Sequence, residues 1–157
     1  MPSNVTAKTA SAPRSLQAVL LIAALGILIC VGIIWQTKQP VVRSLQVGSN
    51  RYALEVAKND KEHDKGLSGR KSMPRGKGMV FVFSREEEQC FWMKDMHFPL
   101  DIIWVNARHE VVFLAKEAQP DSYPRTFCSS DPAAYVIELN AGEIQRAGIY
   151  KGQVLKF

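Results

Sequence analysis

Acidic residues are missing from the start of this 157-residue chain: all fifteen lie at Glu55 or later. Four of the twenty lysines and arginines (Lys8, Arg14, Lys38 and Arg43) lie before residue 44. From residue 44 onward sixteen basic face fifteen acidic residues, so most of the net charge of +5 belongs to the N-terminal flank. A folded region so close to neutrality lacks the basic footprint of nucleic-acid binding, and no nucleic-acid partner is expected. Cysteine is scarce. Cys30, Cys90 and Cys128 show no CxxC spacing and no neighbouring histidine pair, which argues against a structural zinc site. His97 and His109 also lack partners at ligand spacing, so no metal and no cofactor is expected. The chain has no glycine-rich phosphate loop, no nucleophile elbow and no internal repeat.

One long apolar run is present. Residues 16–35, LQAVLLIAALGILICVGIIW, contain Gln17 as their only strongly polar side chain. About 20 helical residues span about 30 Å, the thickness of a bilayer core, and Trp35 suits the interface. A cleaved secretory signal is the rival reading. The run exceeds the usual signal core, and Ile33, Ile34, Trp35 and Gln36 offer no small-residue cleavage site, so a retained single-span anchor is favoured. The chain then divides into a tail (1–15), a transmembrane helix (16–35), a linker (36–43) and a folded domain (44–157). The positive charges flanking the run nearly balance. The expectation of a cell-membrane protein with its C-terminal domain outside the cytoplasm therefore rests on the N-terminal, export-type position of the apolar segment.

The domain reads as mainly β. Two extended runs flank Gly48-Ser49-Asn50, and the second alternates Tyr52, Leu54 and Val56 with Arg51, Ala53 and Glu55, as a half-buried hairpin strand would. Residues 59–66 fit a two-turn helix capped by Asn59 or Asp60, with His63 as a solvated side chain. Residues 78–84 are apolar on both faces, the mark of a central strand. A charged loop follows at 85–89, strands at 90–96, 101–106 and 110–116, a long loop at 119–132 and a strand at 134–140. Asn140 could cap a short helix over 141–147 that stops at Gly148. Seven or eight short strands with one or two short helices predict a compact β-sandwich or barrel-like domain.

Four motifs occur in order: GLSGR at 66–70, GMVFVF at 78–83, FWMKDMHFPLDIIWV at 91–105 and YVIELNAG at 135–142. In these the chain resembles the domain-of-unknown-function 192 family of bacterial and archaeal proteins, over roughly residues 44–157. The resemblance implies a compact, mainly β fold and no established activity. Arg70, Lys94, Asp101 and Glu138 match the family's polar positions. The family's usual W-M-K-N-T is replaced here by Asp95 and Met96 at its last two places, an added charge and a lost hydroxyl.

These residues compose the candidate cleft: Arg70, Trp92, Lys94, Asp95, Asp101 and Glu138. Glu138 sits among Val136, Ile137 and Leu139, so it should be buried and in need of a partner, with Lys94 or Arg70 the natural choice. Asp101 either accepts backbone N–H groups at a turn or serves as a base or ligand acceptor beside Lys94. Trp92 is an aromatic platform for a ligand or simply core. In an oxidising compartment Cys90 and Cys128 could form a disulfide closing some forty residues, worth about 4 kcal/mol in the chain-entropy account.

The leading expectation is a binding or accessory module for a small polar or anionic ligand, or for an envelope protein. One alternative is a hydrolase-like enzyme using Asp101 or Glu138 with Arg70 or Lys94. The other is a structural interaction domain, in which these polar groups only pair with one another.

Overall fold

The computed structural model describes residues 41–157; the expected tail, apolar span and most of the linker lie outside the described residues. Among the described residues no helix is long and apolar enough to cross a membrane. The elements are β1 (Val42–Val47), β2 (Asn50–Ala57), α1 (Asp60–Lys65), β3 (Lys77–Glu87), β4 (Cys90–Trp92), β5 (Leu100–Val105), β6 (Val111–Ala118), β7 (Thr126–Cys128), β8 (Ala133–Asn140) and α2 (Glu143–Ala147).

The expected hairpin forms. Val47 pairs with Asn50 across Gly48 and Ser49, and β1 and β2 run antiparallel. β2 then pairs with β3 in parallel, which requires α1 to carry the chain across. Asn59 caps α1, its side chain accepting the Glu62 backbone N–H at 3.1 Å, and Gly66 ends the helix with φ 44°. The result is one mixed six-stranded sheet, ordered β1-β2-β3-β8-β5-β6, with β4 and β7 as a separate two-stranded ribbon. It is mainly β with two short helices, as the strand count predicts. The parallel crossover joins these strands into a single sheet rather than two sheets of similar size. The C-terminal segment bridges both outer strands, pairing Lys156 with Gln46 and Val154 with Glu110.

The sheet buries both faces, each with its own apolar cluster. Leu45, Tyr52, Leu54, Val80, Ile103, Ile137, Leu139 and Leu155 fill one side. Phe81, Met93, Met96, Ile102, Trp104 and Val136 fill the other, where Phe91 and Phe127 of the ribbon pack against them. The two-residue period of a strand sorts neighbours between these layers. Gly78 is confined by the neighbouring strands β2 and β8, since a Cβ there would lie 2.6 Å from the Glu138 carbonyl oxygen.

Four local expectations change. β3 runs on to Glu87 beyond a register shift after Val82, taking in most of the expected charged loop. β4 stops at Trp92 because Met93 to Asp95 turn away, and Asp95 adopts φ 56°. The long loop contains β7, paired with β4. Asn140 does not cap α2: Gly142 holds the cap position, and the Asn140 side chain donates to the Met73 carbonyl at 3.0 Å.

Cys90 and Cys128 face each other across the ribbon and are joined by a disulfide, 38 residues apart in sequence. The ribbon has three residues per strand, too few to hold itself together. Reduction is expected to cost about 2–4 kcal/mol of domain stability. In denaturant, the unreduced full-length protein should expose one thiol to Ellman reagent, that of Cys30, and the reduced protein three. Three thiols before reduction would show that the ribbon is not covalently closed.

Candidate functional site

A cavity of about 170 Å³ lies between the sheet, α1 and the ribbon. Each wall follows from the fold. β3 contributes Phe81 and Phe83, the ribbon contributes Cys90, Phe91 and Trp92, and the α1 region contributes His63 and Ser68. Gln89, Met96 and Glu138 also line it, and Asp64, Lys65, Gly66 and Leu67 complete the α1 side. The aromatic groups lock one another in place. Phe91 meets Phe81 edge-on at 4.8 Å and Trp104 edge-on at 5.9 Å, while the His63 ring lies 4.7 Å from that of Phe83. Trp92 is 48% exposed.

Glu138 stands opposite Met79 on β3 and Ile102 on β5, in the apolar layer beneath the cavity, and is only 5% exposed. No hydrogen-bond partner reaches its Oε2 among the described residues. Burial drives its ionisation up to about 8, against the opposing pull of the Arg70 charge. Glu138 is therefore a neutral acid at pH 7, able to donate a hydrogen bond as well as accept one. The Gln89 side chain also has an unpartnered buried atom, its Nε2. Its backbone is fixed: the Gln89 carbonyl accepts the Trp104 indole N–H at 2.8 Å.

The six residues expected to form a cleft are dispersed. Glu138 and Trp92 line the cavity. Arg70 is near enough to influence Glu138 but is committed elsewhere, both of its terminal nitrogens donating to Glu55 at 2.7 Å. That bidentate pair holds the Glu55 carboxyl below its ordinary range. Lys94 and Asp95 are exposed, and what they contribute locally is backbone: the Lys94 carbonyl accepts the Ser68 hydroxyl at 2.9 Å, and the Asp95 carbonyl accepts the Gly69 N–H at 2.8 Å. These two bonds tie the GLSGR segment to the MKD segment. The left-handed backbone of Asp95 favours Asn or Asp, which is a conformational reason for that residue type.

Asp101 is fully buried on the other face of the sheet. Ile102 is the direct cross-strand partner of Glu138, so Asp101, one residue earlier, points the opposite way. Its Oδ1 accepts the Glu117 N–H at 2.8 Å and its Oδ2 accepts the Ile144 N–H at 2.7 Å. A carboxylate so engaged fastens β6 and α2; it is not available as a base beside Lys94.

Sequence reasoning missed Gln89 and set His63 aside. Gln89 looked like part of a solvated loop, and nothing in its neighbours signals that the ribbon covers it. For His63 a signal existed: it sits at helical spacing from Gly66 and Leu67, on the side of α1 that must face the sheet. Its Nε2 lies 3.2 Å from the Ala57 carbonyl oxygen. Met96, one of the two departures from the family's usual motif, is on the cavity wall.

The fold and cavity define a small mixed-β domain with a half-open, aromatic-walled pocket that has a buried carboxyl at its floor. The chain belongs to the DUF192 family, described as "Uncharacterized ACR", whose model matches residues 42–157. It is similar to a crystal structure from Sinorhizobium meliloti 1021, described as a candidate transcription regulator. The two share 30% identity and a TM-score of 0.67 over 72% of this chain and 89% of that one. It is also similar to a protein of unknown function from Novosphingobium aromaticivorans DSM 12444. There the identity is 29% and the TM-score 0.68, over 78% of this chain and 89% of that one. No curated protein matches.

Proposed function

We propose that this protein is a membrane-anchored binding module whose domain, outside the cytoplasm, holds a small polar ligand in the cavity over Glu138. One observation carries the reading: Gln89 and Glu138, whose Nε2 and Oε2 are the two unpartnered buried side-chain atoms among the described residues, both line the same cavity. Orphaned polar atoms are costly in a core. A ligand that satisfies both recovers that cost. The apolar run at 16–35 supports the anchor, and a disulfide is most at home in an oxidising compartment.

Of the expected ligand classes, small polar molecules fit better than anions, because Arg70 is paired with Glu55 and the cavity floor is a carboxyl. The hydrolase-like alternative requires Asp101 or Glu138 beside Arg70 or Lys94; Asp101 lies on the other face of the sheet with both oxygens engaged, Arg70 is tied to Glu55, and Lys94 is exposed. Transcription regulation is said of the Sinorhizobium relative, and the near-neutral charge of residues 44–157 gives no support for carrying it here.

Thermal-shift screening of the full chain in detergent, with wall sugars, amines and carboxylates, tests the proposal. At least one compound should raise the melting temperature, and the shift should vanish in Gln89→Leu while that variant stays folded. A blank screen, or a shift that Gln89→Leu retains, counts against the cavity as the site.

A further inference from the structure

The floor of the cavity carries more chemistry than a neutral polar ligand needs. A hydroxyl or an amide in place of Glu138 would offer donors and acceptors without a buried ionisable group. What a carboxyl adds is the capacity to become charged when a counter-charge arrives, and among the described residues none is in contact with it. Arg70 is tied to Glu55 through both terminal nitrogens. Lys65 and Asp64 of α1 line the cavity but are exposed and of opposite sign; His63 is the third titratable group that α1 presents there. Across β3 and β5, the strands flanking Glu138, its direct neighbours are the uncharged Met79 and Ile102. Phe81, Phe83, Phe91 and Trp92 line the same cavity as this carboxyl, and an aromatic lining attracts organic cations through the ring quadrupoles. Gln89 Nε2, a donor, asks for an oxygen acceptor on the same ligand.

We propose that the ligand is a small organic cation, a primary or methylated amine that also carries a hydroxyl or carbonyl oxygen. Its ammonium pairs with Glu138 and its oxygen accepts from Gln89 Nε2. The inference rests on the reading of the cavity as a binding site and names the class of molecule bound there. No covalent bond changes. The ammonium keeps its protons, and the Glu138 carboxyl releases one proton to water as the pair forms. Binding is therefore opposed by protons below the ionisation range of Glu138 and levels off above it.

Choline is the sharpest probe, because its charge does not titrate and any pH dependence belongs to the protein; ethanolamine tests the primary amine. The control is the carbon isostere of choline, in which a tert-butyl group replaces the trimethylammonium. Isothermal titration of the full chain in detergent should show binding of choline or ethanolamine and none of the isostere. Choline affinity should rise about fifty-fold from pH 6 to pH 8 if it is the probe bound, and for either amine the heat should vary with the ionisation enthalpy of the buffer, reporting the released proton. Glu138→Gln should abolish binding of either amine. Amine binding without proton release overturns the pairing with a protonated Glu138. Binding of the isostere as tight as that of choline overturns the cation inference and leaves the cavity as a site for neutral ligands. The same holds if only a neutral sugar binds and Gln89→Leu removes it. Failure of both amines, the isostere and the wider screen overturns the binding reading itself.

Discussion

Glu138→Gln is expected to stabilise the protein at pH 9 and to cost it up to about 2 kcal/mol at pH 5. The carboxyl ionises at about 8 in the folded domain against 4.5 for an ordinary glutamate. Between those values the folded state holds a proton that the unfolded chain has lost, so stability falls as pH rises through this window. Below about 4.5 both states are protonated and there is no penalty; above about 8 the penalty is complete. At about 1.4 kcal/mol per pH unit the full effect is about 5 kcal/mol. The amide removes it, although its own unpartnered NH₂ takes back about 1–3 kcal/mol at every pH. Urea unfolding of the wild type and variant across pH 5–9 measures the difference. Parallel stability profiles for the two proteins would mean that Glu138 ionises normally and that the cavity floor is polar or wet.

The second large effect runs in the opposite direction and away from the cavity. Asp101→Ala is expected to destabilise the domain by about 3–6 kcal/mol, from two buried charge-assisted bonds at about 1.5–3 kcal/mol each. Asp101→Asn keeps one acceptor oxygen but turns an N–H donor toward a backbone N–H. It should recover less than half of the loss. Circular-dichroism melting follows both variants, and binding by whatever fraction remains folded should be intact, since Asp101 faces the other layer. A folded, stable Asp101→Asn protein that had lost its ligand would restore the reading of Asp101 as a site residue.

The contrast between Glu138 and Asp101 shows what the sequence could and could not disclose. Both are carboxylates amid apolar strand neighbours; period-two patterning made the burial of Glu138 legible, whereas Asp101 read only as an acceptor at a turn or a base. Which face each one takes depends on register, and register depends on partners far away in the chain: Ile102 for Glu138, and Glu117 and Ile144 for Asp101. The β1–β2 hairpin, α1 with its Asn59 cap and the central position of β3 were legible because local turn chemistry and hydrophobic period decide them. The parallel β2–β3 pair was not, since nothing local distinguishes a crossover from another hairpin. Arg70 was read toward Glu138, but Glu55 on neighbouring β2 outcompetes it with two short bonds and more solvent. Gln89 was invisible for a related reason. Its burial comes from a ribbon whose two strands are held together by Cys90 and Cys128.

The account depends on one group being uncharged where carboxylates are normally ionised. The measurement that addresses it directly is the pH titration of the Glu138 side-chain carboxyl carbon by NMR in the full-length protein, with choline and ethanolamine each present and absent. The prediction is a transition near 8 without a cation and a marked fall in that transition once the bound amine is added. A transition near 4.5 without an amine would contradict the uncharged floor, and with it the site built upon it.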